Sequence, residues 1–282
     1  MISAWYGRAG LRTCAAVMYF FGLIVCGVAG CGSSSSSFGK ITTTASVPGD
    51  WEFTATNSRG FAVPMGVYLS LTGSAVSGTA SVQMAFPQVC QNGCCGGPFA
   101  QFNNSLTGTL DDKGKLTLGS AMPNGGPTFT MTGTVSGGTM TNGTFSLTGP
   151  CPDQGTITGV ALPPLDGTYA GTVTSKDTGQ SYGLSTTLQQ SNTPNARGFF
   201  DVTGTATFTG YPCMTSATPA TPLDLNSGFL GNQFAVTMNA SGGATLSISG
   251  TLSQDGKTIA ASYLVGGGTC HLDFGEGTLT LQ

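Results

Sequence analysis

Six cysteines beyond residue 31 are the side chains of this chain best suited to redox or metal chemistry: Cys90, Cys94, Cys95, Cys151, Cys213 and Cys270. The spacing of the first three could serve a metal or redox site. A zinc site, however, needs reduced thiolates and further ligands, and the chain has a single histidine, His271. An even number of cysteines in an exported protein favours disulfides instead. We therefore predict no metal and no cofactor.

The single histidine also limits the hydrolytic chemistry that the sequence can support. A Ser-His-acid arrangement would have to use His271, with Asp273 and Glu276 close in sequence and Ser262 on the preceding predicted strand. No nucleophile-elbow pattern surrounds any serine. We assign no catalytic residues and expect a non-enzymatic protein. A hydrolase that uses His271 with nearby acids is the alternative.

Two pairs of carboxylates have the residue type that glycoside hydrolysis needs, Asp50 with Glu52 and Asp111 with Asp112. Asp50 and Glu52 share one face of a predicted strand, because side chains two residues apart on a strand point the same way. We interpret this pair as part of a solvated barrel rim, so the pair is not assigned to catalysis.

Residues 1–30 have the features of an export signal. Arg8 and Arg12 make the start basic, and residues 15–30 are uncharged and rich in Val, Phe, Leu, Ile, Ala and Gly. This stretch is shorter than the roughly 20 residues that a membrane-spanning helix needs. It ends in Val28-Ala29-Gly30-Cys31, which resembles the lipobox of bacterial lipoproteins, where small residues precede a cysteine that is lipidated.

The lipobox resemblance implies a covalent membrane anchor on Cys31. In that family the cysteine becomes the mature N-terminus and carries a diacylglyceryl group and an N-acyl chain, and several acyl chains together make anchoring stable. Gly32 stands where an aspartate favours retention at the inner membrane, so the pattern favours the outer membrane. Residues 31–40, with serines at 33–37, are typical of a flexible tether. The resemblance thus predicts an envelope lipoprotein that faces the periplasm or the cell surface.

Composition excludes some functions and indicates a fold class. Without residues 1–30 the chain keeps seven basic and twelve acidic residues, a net charge of −5, and only 7% of the whole chain is charged. No cluster of Lys or Arg is present, so a nucleic-acid partner is not expected. Thr is abundant, and 45 glycines and 14 prolines interrupt the chain at short intervals. This composition is typical of an all-β protein with short strands and tight turns.

The sequence beyond the tether contains an internal duplication, which divides it into residues 41–162 and 163–282. Gly49-Asp50-Trp51 corresponds to Gly167-Thr168-Tyr169. The alternating segment 129–135 corresponds to 246–252, and Cys151 corresponds to Cys270. The matches keep their order, and Pro163-Pro164 lies where a boundary between the two copies is needed.

Each copy is predicted to form eight strands that meander through short glycine turns and close into a barrel without free edges. Two tandem β-sandwiches are the alternative fold. The predicted strands lie near 50–57, 63–72, 76–86, 102–110, 115–121, 127–136, 139–148 and 154–161 in the first copy, and near 167–175, 180–190, 197–209, 222–228, 232–239, 244–252, 257–265 and 276–282 in the second.

The opening of each copy resembles the calycins, the lipocalin- and avidin-type barrels. Gly49-Asp50-Trp51 resembles the Gly-x-Trp that opens the first strand in those families, and Tyr169 stands at the equivalent place in the second copy. The resemblance implies up-and-down barrels that can hold one small ligand. The basic residue that packs over the Trp in lipocalins is missing, since no Arg or Lys lies between residues 149 and 163.

The duplication also bears on the pairing of the cysteines. The second copy contains only Cys213 and Cys270, so any disulfide within it must join them. The duplication then implies a Cys90–Cys151 pair in the first copy, which would leave Cys94 and Cys95 for a disulfide between neighbours. Pairing of Cys94 or Cys95 with Cys151 remains open.

These patterns together predict a lipid-anchored, non-enzymatic envelope protein that binds a small apolar or amphipathic ligand. The alternative to ligand binding is a structural or protein-interaction module of the envelope. An open barrel lined with apolar side chains would favour the first function, and a barrel filled by side chains would favour the second.

Lipidation tests the predicted anchor. Labelling of growing cells with radioactive palmitate should mark the protein, and Cys31→Ala should abolish the label because the thiol that accepts the lipid is gone. Cys26→Ala is the matched control and should keep the label, since Val25 before it is too large for a lipobox. Label that persists in the Cys31 variant would contradict the assignment.

Overall fold

The computed structural model describes residues 46–82, 102–121, 128–149, 152–220, 227–268 and 270–282. The lipobox with Cys31, the tether, and Cys90, Cys94, Cys95 and Cys151 lie outside these ranges. The described ranges contain no α-helix, and none of their residues belongs to a helix long and apolar enough to cross a membrane.

The first barrel is an antiparallel meander that closes on itself. Each strand pairs with the next one along the chain, and β1 pairs with β8 to complete the ring. The strands are β1 (Gly49–Asn57), β2 (Ala62–Thr72), β3 (Ala75–Val82), β4 (Phe102–Leu110), β5 (Lys115–Ala121), β6 (Thr128–Ser136), β7 (Thr139–Thr148) and β8 (Asp153–Ala161).

Alternating side chains fill the interior of the first barrel. Trp51 and Phe53 point inward from β1 and stack with their ring centroids 5.5 Å apart. The Trp51 indole donates a hydrogen bond of 2.7 Å to the carbonyl oxygen of Val47, which satisfies its only polar atom in the core. Gly159 on β8 leaves room for Phe53, because a Cβ there would lie 2.4 Å from the ring. Large aromatic side chains and glycine thus complement each other inside the ring.

Threonines line the outer surface of the first barrel. One row of cross-strand partners runs through six of them, Thr109, Thr117, Thr132, Thr144, Thr156 and Thr56. The hydroxyls of Thr132 and Thr144 are 3.2 Å apart. Such β-branched pairs stabilise a sheet by about 0.2–1 kcal/mol each. Threonine therefore supplies the polar surface that charged residues provide in most proteins.

The second barrel has nine strands, and two short ones share one of the eight positions around the ring. Its strands are β9 (Gly167–Ser175), β10 (Ser181–Pro194), β11 (Phe200–Thr209), β12 (Ser216–Pro219), β13 (Gly228–Leu230), β14 (Gln233–Ala240), β15 (Thr245–Leu252), β16 (Thr258–Gly267) and β17 (Cys270–Leu281). The short strands β12 and β13 both lie between β11 and β14, and β9 pairs with β10 and β17 to complete the ring.

The core of the second barrel differs from the first in its buried polar groups. Tyr169, fully buried like Trp51, donates its hydroxyl to the carbonyl oxygen of Gly256 at 3.0 Å. At the other end of the barrel, the buried carboxylate of Asp273 accepts hydrogen bonds from Ser175 at 2.6 Å and Tyr263 at 2.9 Å. Burial and the Asp273 carboxylate both raise the pKa of Tyr263. Asp273 is thus satisfied by hydroxyl groups inside the ring.

The fold class predicted from sequence is confirmed, since the molecule consists of two tandem antiparallel barrels, and the alternative of two β-sandwiches is wrong. The last strand starts at Cys270, six residues before the predicted start. A register shift interrupts its pairing with β16 near residues 265–267. The strand predicted over 222–228 overlaps only the start of β13, and residues 221–226 lie outside the described ranges.

A disulfide closes the end of the second barrel that is remote from the first. It joins Cys213, in the loop after β11, to Cys270 at the start of β17, with Cα atoms 5.5 Å apart. Since 57 residues separate the two cysteines, the bond closes a long loop and restricts the unfolded chain.

We expect the double variant Cys213→Ala/Cys270→Ala to lose about 4 kcal/mol of unfolding free energy by the loop-entropy relation. Denaturant unfolding of the second barrel, followed through its tyrosines, measures this loss. Reductant should lower the stability of the unsubstituted protein by more than that of the double variant. Peptide mapping without reductant that finds both thiols free would contradict the expectation.

Candidate functional site

The interiors of both barrels are occupied by protein side chains along the described strands. The first core contains Trp51, Phe53 and a set of Leu, Met, Val and Ile side chains, and the second contains Tyr169, Phe229 and many more. Side chains can fill the interior of a ring of eight strands. A candidate site lies instead in the contact region between the barrels.

The two barrels pack end against side. The outward face of β1, β2 and β3 in the first barrel meets two turns at one end of the second barrel, the β10–β11 turn and the β13–β14 turn. Tyr68 on β2 packs edge-on against Phe200 with ring centroids 5.3 Å apart. Thr79 on β3 faces Gly198, where an added Cβ would lie 2.3 Å from its methyl group.

Two glycines allow the backbones of the barrels to touch. A Cβ on Gly66 of β2 would lie 2.6 Å from the carbonyl oxygen of Leu230, and a Cβ on Gly231 would lie 2.5 Å from the Cα atom of Gly66. Gly231 also has a φ of +62°, a conformation that side chains disfavour. The turn can therefore approach the sheet only where both residues lack side chains.

Asp50 joins the two barrels by a hydrogen bond at this contact. Its Oδ1 accepts a hydrogen bond of 2.9 Å from the amide of Gly231, and its side chain is almost fully buried. Oδ2 has no partner among the residues that the structure describes. Burial raises the pKa of Asp50 well above 3.8, although the amides of Gly231 and Trp51 oppose that shift. The interpretation of Asp50 as part of a solvated rim is wrong, because the second barrel covers it.

A cleft of about 620 Å³ opens beside this contact and has walls from both barrels. Glu52, Pro64, Met65 and Ser81 belong to the first barrel. The wall from the second barrel combines polar and apolar side chains, which include Arg197, Phe199, Leu230, Asn232, Gln233, Phe234, Ser249 and Thr251. The volume falls in the usual range for small-molecule sites.

The charged groups of the cleft have no ion-pair partners in the described part of the chain, where the one ion pair joins Lys176 to Glu276. Glu52 is half-buried, and desolvation raises its pKa. Arg197 is exposed, with its guanidinium carbon 6.0 Å from the centroid of the Phe199 ring. The site thus presents one acid from the first barrel and one base from the second, each available to a ligand.

The residues considered for hydrolysis do not come together. His271 is exposed at the start of β17, whereas the Asp273 carboxylate points inward to Ser175 and Tyr263. Ser262 lies opposite Glu276 on the outer surface. Asp111 accepts hydrogen bonds from the amides of Lys113 and Lys115, so it stabilises a turn beside Asp112. No group of three potential metal ligands occurs in the described ranges.

Four features of the site were not predicted from the sequence: Arg197, Asn232, Gln233 and the Gly66–Gly231 contact. Arg197 and Asn232 lie in turns, where polar residues are expected in any protein. One signal was present: Gly66 interrupts the strand segment 62–72 at an outward position, and glycine inside a strand often marks close approach of another backbone.

Comparison with known proteins identifies no family. No family model matches the chain, and no curated protein matches it. Among solved structures, the chain is similar to a Bacteroides fragilis protein described as a "putative outer membrane protein", with 10% identity over 83% of this chain and 95% of that one. The TM-score of 0.25 is too low to support any inference about fold or function.

Substitution of Gly66 tests the contact between the barrels. We expect Gly66→Ala to lower the unfolding free energy by about 1–3 kcal/mol, the usual cost of overpacking, because its Cβ would meet the Leu230 carbonyl at 2.6 Å. Gly119→Ala on β5 is the matched control, since a Cβ there meets nothing closer than 3.7 Å. Denaturant unfolding measures both, and equal stabilities of the two variants would contradict the contact.

Proposed function

We propose that this chain is a lipid-anchored, non-enzymatic protein of the bacterial cell envelope that binds a small amphipathic ligand in the cleft between its barrels. The anchor would be the diacylglyceryl group on Cys31, and the outer membrane would be its location. The basic start, the uncharged stretch 15–30 and Val28-Ala29-Gly30-Cys31 support this part of the proposal. Gly32 in place of an aspartate supports the outer membrane.

One observation carries the binding part of the proposal. The cleft of about 620 Å³ combines apolar side chains with a carboxylate and a guanidinium that have no ion-pair partners among the described residues. Leaving a half-buried carboxylate unpaired costs free energy, which a complementary ligand would recover. The apolar surface beside it would cover an apolar part of the same ligand.

The filled barrels favour one rival function, a structural or protein-interaction module of the envelope. Large side chains occupy the barrel interiors along the described strands, as a purely structural pair of barrels requires. Occupancy of the cleft distinguishes the two functions.

Native mass spectrometry of protein extracted from the membranes of its host tests the proposal. We expect a small molecule to accompany the protein in stoichiometric amount. Thr251→Trp should release it, because Thr251 lines the cleft and is exposed, so that the indole would occupy the ligand's space. Thr245→Trp is the matched control, since it changes the same residue type on the same face of β15 at the other end of the strand.

Two results would contradict ligand binding in the cleft. A protein that carries no small molecule when it leaves the host membrane would favour the structural module. A molecule that stays bound to the Thr251 variant would lie somewhere other than the cleft.

A further inference from the structure

We infer that the ligand of the cleft is a zwitterionic short peptide, with its free ammonium group at Glu52, its free carboxylate at Arg197 and an apolar side chain between them. This inference rests on the proposed function, because it names the chemical class that the same cleft binds. It follows from the signs, positions and partners of the polar groups in the two walls.

The two charges of the cleft are opposite in sign and come from opposite walls. Glu52 extends from the outer face of β1, and Arg197 belongs to the β10–β11 turn. A ligand with a single charge would leave one of them uncompensated, and an uncharged ligand would leave both. A molecule with an ammonium group at one end and a carboxylate at the other compensates both.

The chemistry of each charged group fits the end of a peptide assigned to it. A carboxylate only accepts hydrogen bonds, and an ammonium group offers three donors. The guanidinium of Arg197 presents parallel donors that match a carboxylate in a bidentate arrangement. Its position near the Phe199 ring gives it an apolar support on one side.

Two side-chain amides of the cleft can form hydrogen bonds with the backbone in the middle of a bound peptide. Asn232 and Gln233 line the cleft and are half-buried, and no hydrogen bond connects either side chain to another described residue. Each amide group offers donors and an acceptor, the same functional groups as a peptide bond. They can therefore pair with the backbone of a bound peptide, which would otherwise lose its hydrogen bonds to water.

The apolar part of the cleft is the reason that we assign an apolar side chain to the bound peptide. Pro64 and Phe199 present partly exposed apolar surface in the lining of the cleft, whereas Met65, Leu230 and Phe234 are almost fully buried. Covering an aliphatic side chain with such residues is favourable by about 25 cal/mol per Å² of apolar surface. The cleft thus favours a peptide with an aliphatic residue over a fully polar one.

Calorimetric titration of the full-length lipidated protein in detergent tests the ligand class. The probes are the tripeptide Ala-Leu-Ala with free ends, its N-acetylated form, its C-terminal amide and the form blocked at both ends. We expect the free peptide to bind about 10-fold more tightly than the N-acetylated form, because Glu52 is half-buried, and up to about 5-fold more tightly than the amide, because Arg197 is exposed.

Two variants assign the ends of the peptide. Glu52→Gln should abolish the preference for a free amino end and keep the preference for a free carboxyl end, and Arg197→Gln should do the reverse. Glu276→Gln and Arg59→Gln are the matched controls, because both residues are exposed and lie outside the cleft. These control variants should retain both preferences.

Equal affinity for the free and blocked peptides, or no binding of any of them, would overturn the inference. The proposed function would still hold after that result under two conditions. A different small molecule would have to co-purify with the protein from host membranes, and the Thr251→Trp variant would have to lose it. Loss of both end preferences in the two control variants would also overturn the inference.

Discussion

The contact of two glycine backbones determines how this molecule is assembled. Gly231 reaches the sheet of the first barrel only because Gly66 has no side chain, and the Asp50 carboxylate then satisfies the Gly231 amide at 2.9 Å. On the same face of the first barrel, Tyr68 packs against Phe200, and the cleft opens beside the glycine contact.

Because side chains fill both barrels, the candidate binding site lies between the barrels rather than inside either one. In each core, large inward side chains occupy the ring, and glycines such as Gly159 make room for them. Only 7% of the residues are charged, so charge is rare on this protein. In that setting, one acid and one base that line the same cleft form a candidate recognition pair.

Local patterns in the sequence were sufficient to predict most of the strands and the closed rings. The strict alternation over 129–135 and 246–252 predicts half-buried strands, and β6 and β15 contain them. The start of β17 could not be predicted in this way, because its alternation is inverted: Leu272 and Phe274 are exposed, while Asp273 is buried among hydroxyl groups. The burial of Asp50 could not be predicted for a related reason. Its covering barrel lies 181 residues away in the chain, and no local pattern reports such a contact.

The most direct test of the central contact is a pH series of amide hydrogen exchange at Gly231, followed by nuclear magnetic resonance. Because the amide is buried against Asp50, it should exchange as slowly as the amides of paired strands. Its chemical shift should follow the titration of Asp50, whose pKa burial raises well above 3.8. A Gly231 amide that exchanges as fast as one in an unstructured peptide, with a shift that ignores pH, would contradict the account.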